Sequence, residues 1–329
     1  MRVAIGQFSQ LSDERLTFCA QLGVSGVVLN TPVLPGKRWE HFDILRTAAS
    51  WDFLDLLELR TTCENYGLKL EAIENVPITF YDKAMLGLPG ADEQIAGYQE
   101  TIRNLGRAGI PILGYHWMPN QVWRTSFTTR GRGGALVSSF DADLVRNAPL
   151  SHGRVFSEDE LWEHYATFMA AVLPVAEEAG VRLALHPDDP PVPSLGGVPR
   201  LFRGVAGFER ALELAPSPNH GLDLCLGCWS EMGEDVVTVI ERFGAQGKIF
   251  YVHFRDVQGT AEKFRECFLG EGNYDPVTVM RALQRVGFDG FMIDDHVPRL
   301  VDDTDWCHRG RGFQTGYLQG ILAAIEAPA

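Results

Sequence analysis

Four residues that bind transition metals well each close a short apolar run in the C-terminal half of the chain. Arg182-Leu-Ala-Leu ends on His186, Gly221-Leu-Asp-Leu on Cys225, Ile249-Phe-Tyr-Val on His253, and Gly290-Phe-Met-Ile-Asp on Asp295. Each run reads as a strand, because parallel strands buried on both faces appear as continuous apolar stretches. In α/β barrels the chemistry sits just beyond the carboxyl ends of such strands. A single His in this position is more often a hydrogen-bonded core residue, and a single Cys a small hydrophobe. Four in succession, 39, 28 and 42 residues apart, converge on one rim and point to a metal site. Two imidazoles, a thiolate and a carboxylate suit a borderline ion such as Mn²⁺, Fe²⁺, Co²⁺ or Zn²⁺, and suit Mg²⁺ or Ca²⁺ poorly.

Groups able to move protons or hold a substrate surround these ligands. His296 follows Asp295, and adjacent residues at a strand end point to different sides, so one binds metal while the other faces substrate as acid or base. A slip of one residue would put Asp294 in the ligand position instead. Tyr115 and His116 end an earlier strand in the same way, with Arg124, Arg130 and Arg132 downstream. Cations beside a metal in an acidic protein suggest an anionic substrate such as a carboxylate. Asp188 and Asp189 follow His186 and either orient ligands, hold substrate hydroxyls or serve as turn residues. Cys225 and Cys228 form a C-x-x-C; with no second such pair, and with Cys225 among the ligands, neither redox nor structural-zinc use is expected.

The elements that must position these residues alternate along the whole chain. Strands are expected at Val3 to Ile5, Val24 to Leu29, Leu68 to Ile73 and Ile110 to Tyr115, followed by the four ligand-ended runs. Helices are expected at Ser12 to Leu22, Phe53 to Tyr66, Ala91 to Arg107, Glu158 to Ala179 (capped by Ser157), Val205 to Leu214, Glu234 to Phe243, Pro276 to Val286 and Gly312 to Ala327. A polar excursion spans Asn30 to Trp51. Eight strands, each followed by a helix, predict a single-domain (β/α)₈ TIM barrel over residues 1–329. The stretch 116–157 is too long for an ordinary connection, and the glycines and cations between Thr128 and Gly134 predict a lid-like insertion.

Composition narrows the partners. Of 329 residues 45% are hydrophobic, enough for a large core, and 43 acidic against 29 basic side chains give a net charge of −14. That charge disfavours nucleic acid and anionic membrane surfaces. No apolar run reaches 18 residues and no signal region precedes Val3, so a cytoplasmic location is expected, with reduced thiols. A homo-oligomer is compatible with the sequence.

Several of these segments resemble the mannonate dehydratase family, metal-dependent lyases built on a xylose-isomerase-like TIM barrel. The resemblance runs from about Glu71 onward and rests on Glu74-Asn-Val-Pro-Ile78, Leu86 to Gly90, Tyr98 to Gly106, Tyr115 to Pro119 with Trp123-Arg-Thr125, His186 to Pro191, Pro199-Arg200 and Asp295-His296. It implies that His186, Cys225, His253 and Asp295 hold Mn²⁺ and that His296 is the acid/base. It also implies that D-mannonate loses water to give 2-keto-3-deoxy-D-gluconate, with Arg200 joining Arg124, Arg130, Arg132, Asp188 and Asp189 as substrate-binding candidates. The chain departs from the pattern in three places. The family's Arg-Pro-Asp-His-Gly becomes Ile293-Asp-Asp-His-Val297, its Cys-Thr-Gly-Ser becomes Cys225-Leu-Gly-Cys228, and its C-terminal Tyr has no counterpart, since Tyr317 falls in a packing helix. His116 or Tyr115 is expected to replace that Tyr. A metal-dependent sugar isomerase or epimerase is the alternative, and a non-catalytic sugar-acid binder the weakest reading.

Overall fold

The structure is a computed structural model and describes residues 1–34 and 50–327. The part of the polar excursion over residues 35–49 lies outside them.

Eight parallel strands close a barrel. They are β1 (Arg2–Val3 continued by Ile5–Phe8), β2 (Gly26–Asn30), β3 (Lys69–Glu74), β4 (Ile112–Tyr115), β5 (Arg182–Leu185), β6 (His220–Cys225), β7 (Ile249–His253) and β8 (Phe291–Ile293). Each neighbours the next in chain order. Closure falls on β1, whose first stretch pairs with β8 (Arg2 opposite Phe291) and whose second pairs with β2 (Ile5 opposite Val27). The helices that return the chain are α1 (Asp13–Gln21), α2 (Phe53–Glu64), α3 (Ala91–Ala108), α4 (Glu158–Ala179), α5 (Val205–Leu214), α6 (Val236–Gly244), α7 (Pro276–Arg285) and α8 (His308–Glu326).

Local chemistry sets most boundaries. Ser12 caps α1 by accepting from the Arg15 N–H, and Ser157 and Glu160 form a reciprocal capping box at α4. The expected end of α3 falls on Gly109 at φ +73°. The last helix begins at His308 rather than Gly312; its first turn follows Cys307 in a left-handed conformation and has no side-chain cap to announce it.

Alternation along the strands divides the interior into layers. Ala4, Val28, Ala72, Ile112, Ala184, Tyr251, Phe291 and Ile293 fill the barrel floor. Above them the interior turns polar: Asn30 donates to Gln7, Gln7 donates to Glu74, and the His253 imidazole lies between Glu74 and Asp223. Buried polar groups persist only when hydrogen-bonded, and this belt satisfies most of its members internally.

The segment 116–157, read from sequence as a lid-like insertion, carries two strands of its own. Its strands Ser126–Arg130 and Leu136–Asp141 form a hairpin, with Gly133 and Gly134 at positive φ in the turn. A second hairpin from the loop after β7, Val257–Thr260 with Lys263–Glu266, adds to Leu136–Asp141 and completes a four-stranded antiparallel sheet. Both hairpins leave the carboxyl ends of barrel strands, so the sheet stands over the ligand rim. Leu136 also exchanges backbone hydrogen bonds with Arg299, tying the sheet to the loop after β8.

One glycine couples floor to rim. A Cβ on Gly114 would stand 2.4 Å from the Tyr251 Oη and 3.0 Å from the Glu74 Cγ. Gly114→Ala should therefore destabilise the protein by about 1–3 kcal/mol through overpacking. Gly316→Ala, whose Cβ would meet nothing within 4 Å in α8, should be neutral or stabilising. Denaturant midpoints at constant m-value check the contrast.

Candidate metal centre and catalytic face

The four strand-end residues come together. One ligand atom from each of His186, Cys225, His253 and Asp295 lies within 4.8 Å of all the others. The Asp295 Oδ2 is 3.9 Å from the Cys225 Sγ and 3.7 Å from the His253 Nδ1. Each imidazole is held in one tautomer by a second contact. His186 Nδ1 donates to the Pro187 carbonyl at 2.6 Å, which leaves Nε2 as its ligand atom. His253 Nε2 donates to Glu74 Oε2 at 2.8 Å and lies 3.2 Å from Asp223, which turns Nδ1 toward the other three residues. That Nδ1 is buried and has no hydrogen-bond partner. A carboxylate behind a histidine is the usual support of a metal-binding imidazole.

Electrostatics favour a cation at the centre. Burial alone would lower both histidines. For His186 the Cys225 hydrogen bond and the Asp223 charge win and raise it to about 10, and the Asp223 and Glu74 charges likewise raise His253 well above the ordinary imidazole range. Burial opposes ionisation of Cys225, yet the neighbouring Cys228 and His186 and the Arg255 charge hold it well below the ordinary thiol range. The same field that retains protons on the imidazoles is neutralised by a divalent ion, whose binding releases those protons. The donor set and its unpartnered nitrogen fit a borderline divalent ion.

Glu74, Asp223 and His253 also cluster closely enough to hold a metal. There the Glu74 oxygens already accept from the Gln7 amide and from His253, so the group reads as support for the quartet.

A buried ionic network ties the surrounding loops together. Arg255, fully buried, donates to Glu231 at 2.6 Å and to Glu266 at 2.9 Å, and reaches the Cys228 Sγ at 3.0 Å and the Cys225 Sγ at 3.7 Å. Arg124 forms a two-pronged pair with Asp189, both contacts 2.7 Å. Phe264 of the second hairpin lies under both guanidinium groups. The loops after β4, β5, β6 and β7 thus meet in one polar knot beside the thiolate.

This geometry revises several expected roles. Tyr115 points outward into the helix layer, where its hydroxyl meets Tyr165 and His220 at 2.9 Å, because it alternates with the inward-facing Gly114 and His116. It cannot reach the quartet. His116 is on the inner face, but its Nδ1 accepts from the Met118 N–H, and burial, then His186 and Arg200, push it down to about 3. With Nδ1 so engaged, His116 presents Nε2 to the inner face. Asp294 turns away to the Gly6 N–H and Arg311, leaving Asp295 in the quartet.

The expected substrate cations are engaged elsewhere. Arg124 and Asp189 are spent on each other, while the exposed Arg132 pairs with Glu271 and stacks 3.8 Å above Phe268. Arg130 is exposed on the outer hairpin. Asp188 accepts from the Phe202 N–H and faces Arg200 at 3.7 Å; burial, working against Arg200, raises its pKa to about 6. Both are buried and hold the β5 loop. His296 stays half-exposed at the mouth, its Nε2 3.8 Å from Asp295.

A sequence profile described as D-mannonate dehydratase (UxuA) matches residues 1–152 and 148–329. Mannonate dehydratase 2 of Halalkalibacterium halodurans is 32% identical over 313 residues, covering 84% of this chain and 88% of that protein. The chain belongs to the mannonate dehydratase family. It is accordingly a hydro-lyase by family. The mannonate dehydratase from Streptococcus suis serotype 2 superposes with a TM-score of 0.81 at 27% identity, covering 98% of this chain and 93% of that one. A xylose isomerase domain protein from Planctomyces limnophilus shares the fold alone, with a TM-score of 0.62 at 12% identity over 98% of each chain. Within the mannonate dehydratase frame the departures are placed. Ile293 belongs to the apolar floor, and Tyr317 packs against Phe313 in α8.

The knot should dominate stability at this face. Arg255→Met removes the cation from three carboxylates and should cost about 3–5 kcal/mol, whereas Arg132→Ala at the exposed rim should cost less than about 1 kcal/mol. Chemical denaturation of the two variants beside the parent measures the difference.

Proposed function

We propose that this protein is a metal-dependent dehydratase of sugar acids that takes D-mannonate to 2-keto-3-deoxy-D-gluconate and water. The observation that carries the reading is the convergence of His186, Cys225, His253 and Asp295, with an unpartnered His253 nitrogen facing the other ligands. The names of the similar proteins supply the reaction class. The donors suit the borderline first-row ions as a set, and manganese is chosen among them on the resemblance to the mannonate dehydratases.

The proton on C2 of an aldonate is weakly acidic because its neighbour is already a carboxylate. A divalent ion, when bound, supplies the positive charge that stabilises negative charge developing on substrate oxygen. His186, Cys225, His253 and Asp295 would hold it, and Glu74 and Asp223 keep His253 oriented. His296, half-exposed beside Asp295, takes the C2 proton as base and returns it as acid to the C3 hydroxyl, which leaves as water. His116, neutral and with its hydrogen on Nε2, donates to a substrate oxygen from the inner face of the barrel. The four-stranded sheet acts as the lid that excludes water above the rim.

Manganese-loaded protein incubated with a panel of aldonic and uronic acids should yield a 2-keto-3-deoxy acid, with D-mannonate the best substrate. A keto-sugar product without dehydration would replace this reading with isomerisation. His296→Asn should keep its metal and its substrate affinity while turnover falls on the order of 10²- to 10⁴-fold. Turnover at the parent rate with metal in place would remove His296 from proton transfer.

A further inference from the structure

The C-x-x-C that the metal site left unexplained brings two sulfurs to one guanidinium nitrogen. Cys225 ends β6, and Cys228 lies one turn into the short helix Leu226–Glu231, so both face the same side at i and i+3. One nitrogen, Arg255 Nη1, stands 3.0 Å from the Cys228 sulfur and 3.7 Å from the Cys225 sulfur, so the two sulfurs flank the same guanidinium. Both side chains are fully buried. The chain's other cysteines lie elsewhere: Cys19 and Cys63 in the helix-side core, Cys267 beyond the second hairpin and Cys307 before α8.

We propose that Cys225 and Cys228 form an oxidisable dithiol that a small hydroperoxide closes to a disulfide, and that the closed form no longer holds the metal. The inference rests on Cys225 as a metal ligand. The chemistry balances with the peroxide as the only co-reactant. The Cys225 sulfur attacks the terminal peroxide oxygen, the O–O bond breaks as the S–O bond forms, and alkoxide (hydroxide from hydrogen peroxide) leaves and takes up a proton as the alcohol or water. The product is a sulfenic acid on Cys225. The Cys228 sulfur then attacks it, the S–S bond forms, and the S–O bond breaks, releasing water with the Cys228 proton. Two electrons pass from the sulfurs to the peroxide. The Cys225 sulfur converges with Asp295, the most exposed of the four and next to the half-exposed His296, and this is the side from which a peroxide would approach it. A metal on that sulfur blocks the first attack, and the disulfide in turn withdraws the only anionic sulfur from the quartet. Oxidation and metal binding therefore exclude one another, and a dithiol reductant restores the metal-binding form.

The test uses the full chain, stripped of metal and then treated with hydrogen peroxide. Mass spectrometry should show the peptide carrying both cysteines lighter by two hydrogens and closed to alkylation, with reversal by dithiothreitol. Manganese affinity, read by titration, should fall at least about tenfold on oxidation, by comparison with losses from weaker perturbations of ligand sets, and recover on reduction. Manganese-loaded protein should react more slowly. Cys228→Ser should take up manganese but give no such peptide, and its Cys225 should pass to acids that dithiothreitol does not rescue. Absence of the dehydrogenated peptide in the parent, or the same reversible change in Cys228→Ser, overturns the dithiol. A disulfide that leaves manganese affinity unchanged overturns the metal coupling and, separately, the assignment of Cys225 as ligand.

Discussion

A guanidinium with no access to water needs carboxylates around it, and Arg255 organises the catalytic face by gathering them. Glu231 comes from the helix after β6, Glu266 from the second hairpin and Asp189 from the loop after β5, while Arg124, from the loop after β4, shares the last two. Four loops that are independent in sequence are fixed relative to one another by these charges. The Cys225 sulfur lies at the edge of the same knot, so the position of one metal ligand is linked to the position of the covering sheet. A buried network of this kind contributes more to defining one arrangement than to net stability, because its desolvation cost offsets much of its attraction.

The second constraint runs down the barrel. His253 belongs to two groups at once, giving Nε2 to Glu74 and Asp223 below and Nδ1 to the quartet above. Gln7 and Asn30 extend the lower group across β1 and β2. The ligand cluster is therefore supported by strands from both halves of the chain, although its members all come from one.

The barrel was legible because its strands are continuous apolar runs and its helices carry ordinary caps, such as Ser12 and Ser157. The quartet was legible because strand ends mark one rim. The errors share a physical origin. Tyr115 ends its strand as the ligand residues end theirs, but period-two alternation directs it outward into the helix layer. The same alternation would have found Asp223, two residues before Cys225, and Arg255, two after His253. Arg124 looked free because its carboxylates lie 65 and 142 residues away. The second hairpin, short and charged, pairs with a strand more than 120 residues earlier and gave no local sign of the sheet it completes.

The central claim is that a metal sits among His186 Nε2, Cys225 Sγ, His253 Nδ1 and Asp295, with Glu74 and Asp223 behind His253. Anomalous X-ray diffraction from manganese-loaded crystals, recorded on both sides of the manganese absorption edge, tests it most directly. The account predicts one strong anomalous peak between those four atoms, on the Nδ1 side of His253. A peak on the Nε2 side, bound by Glu74 and Asp223, would contradict it.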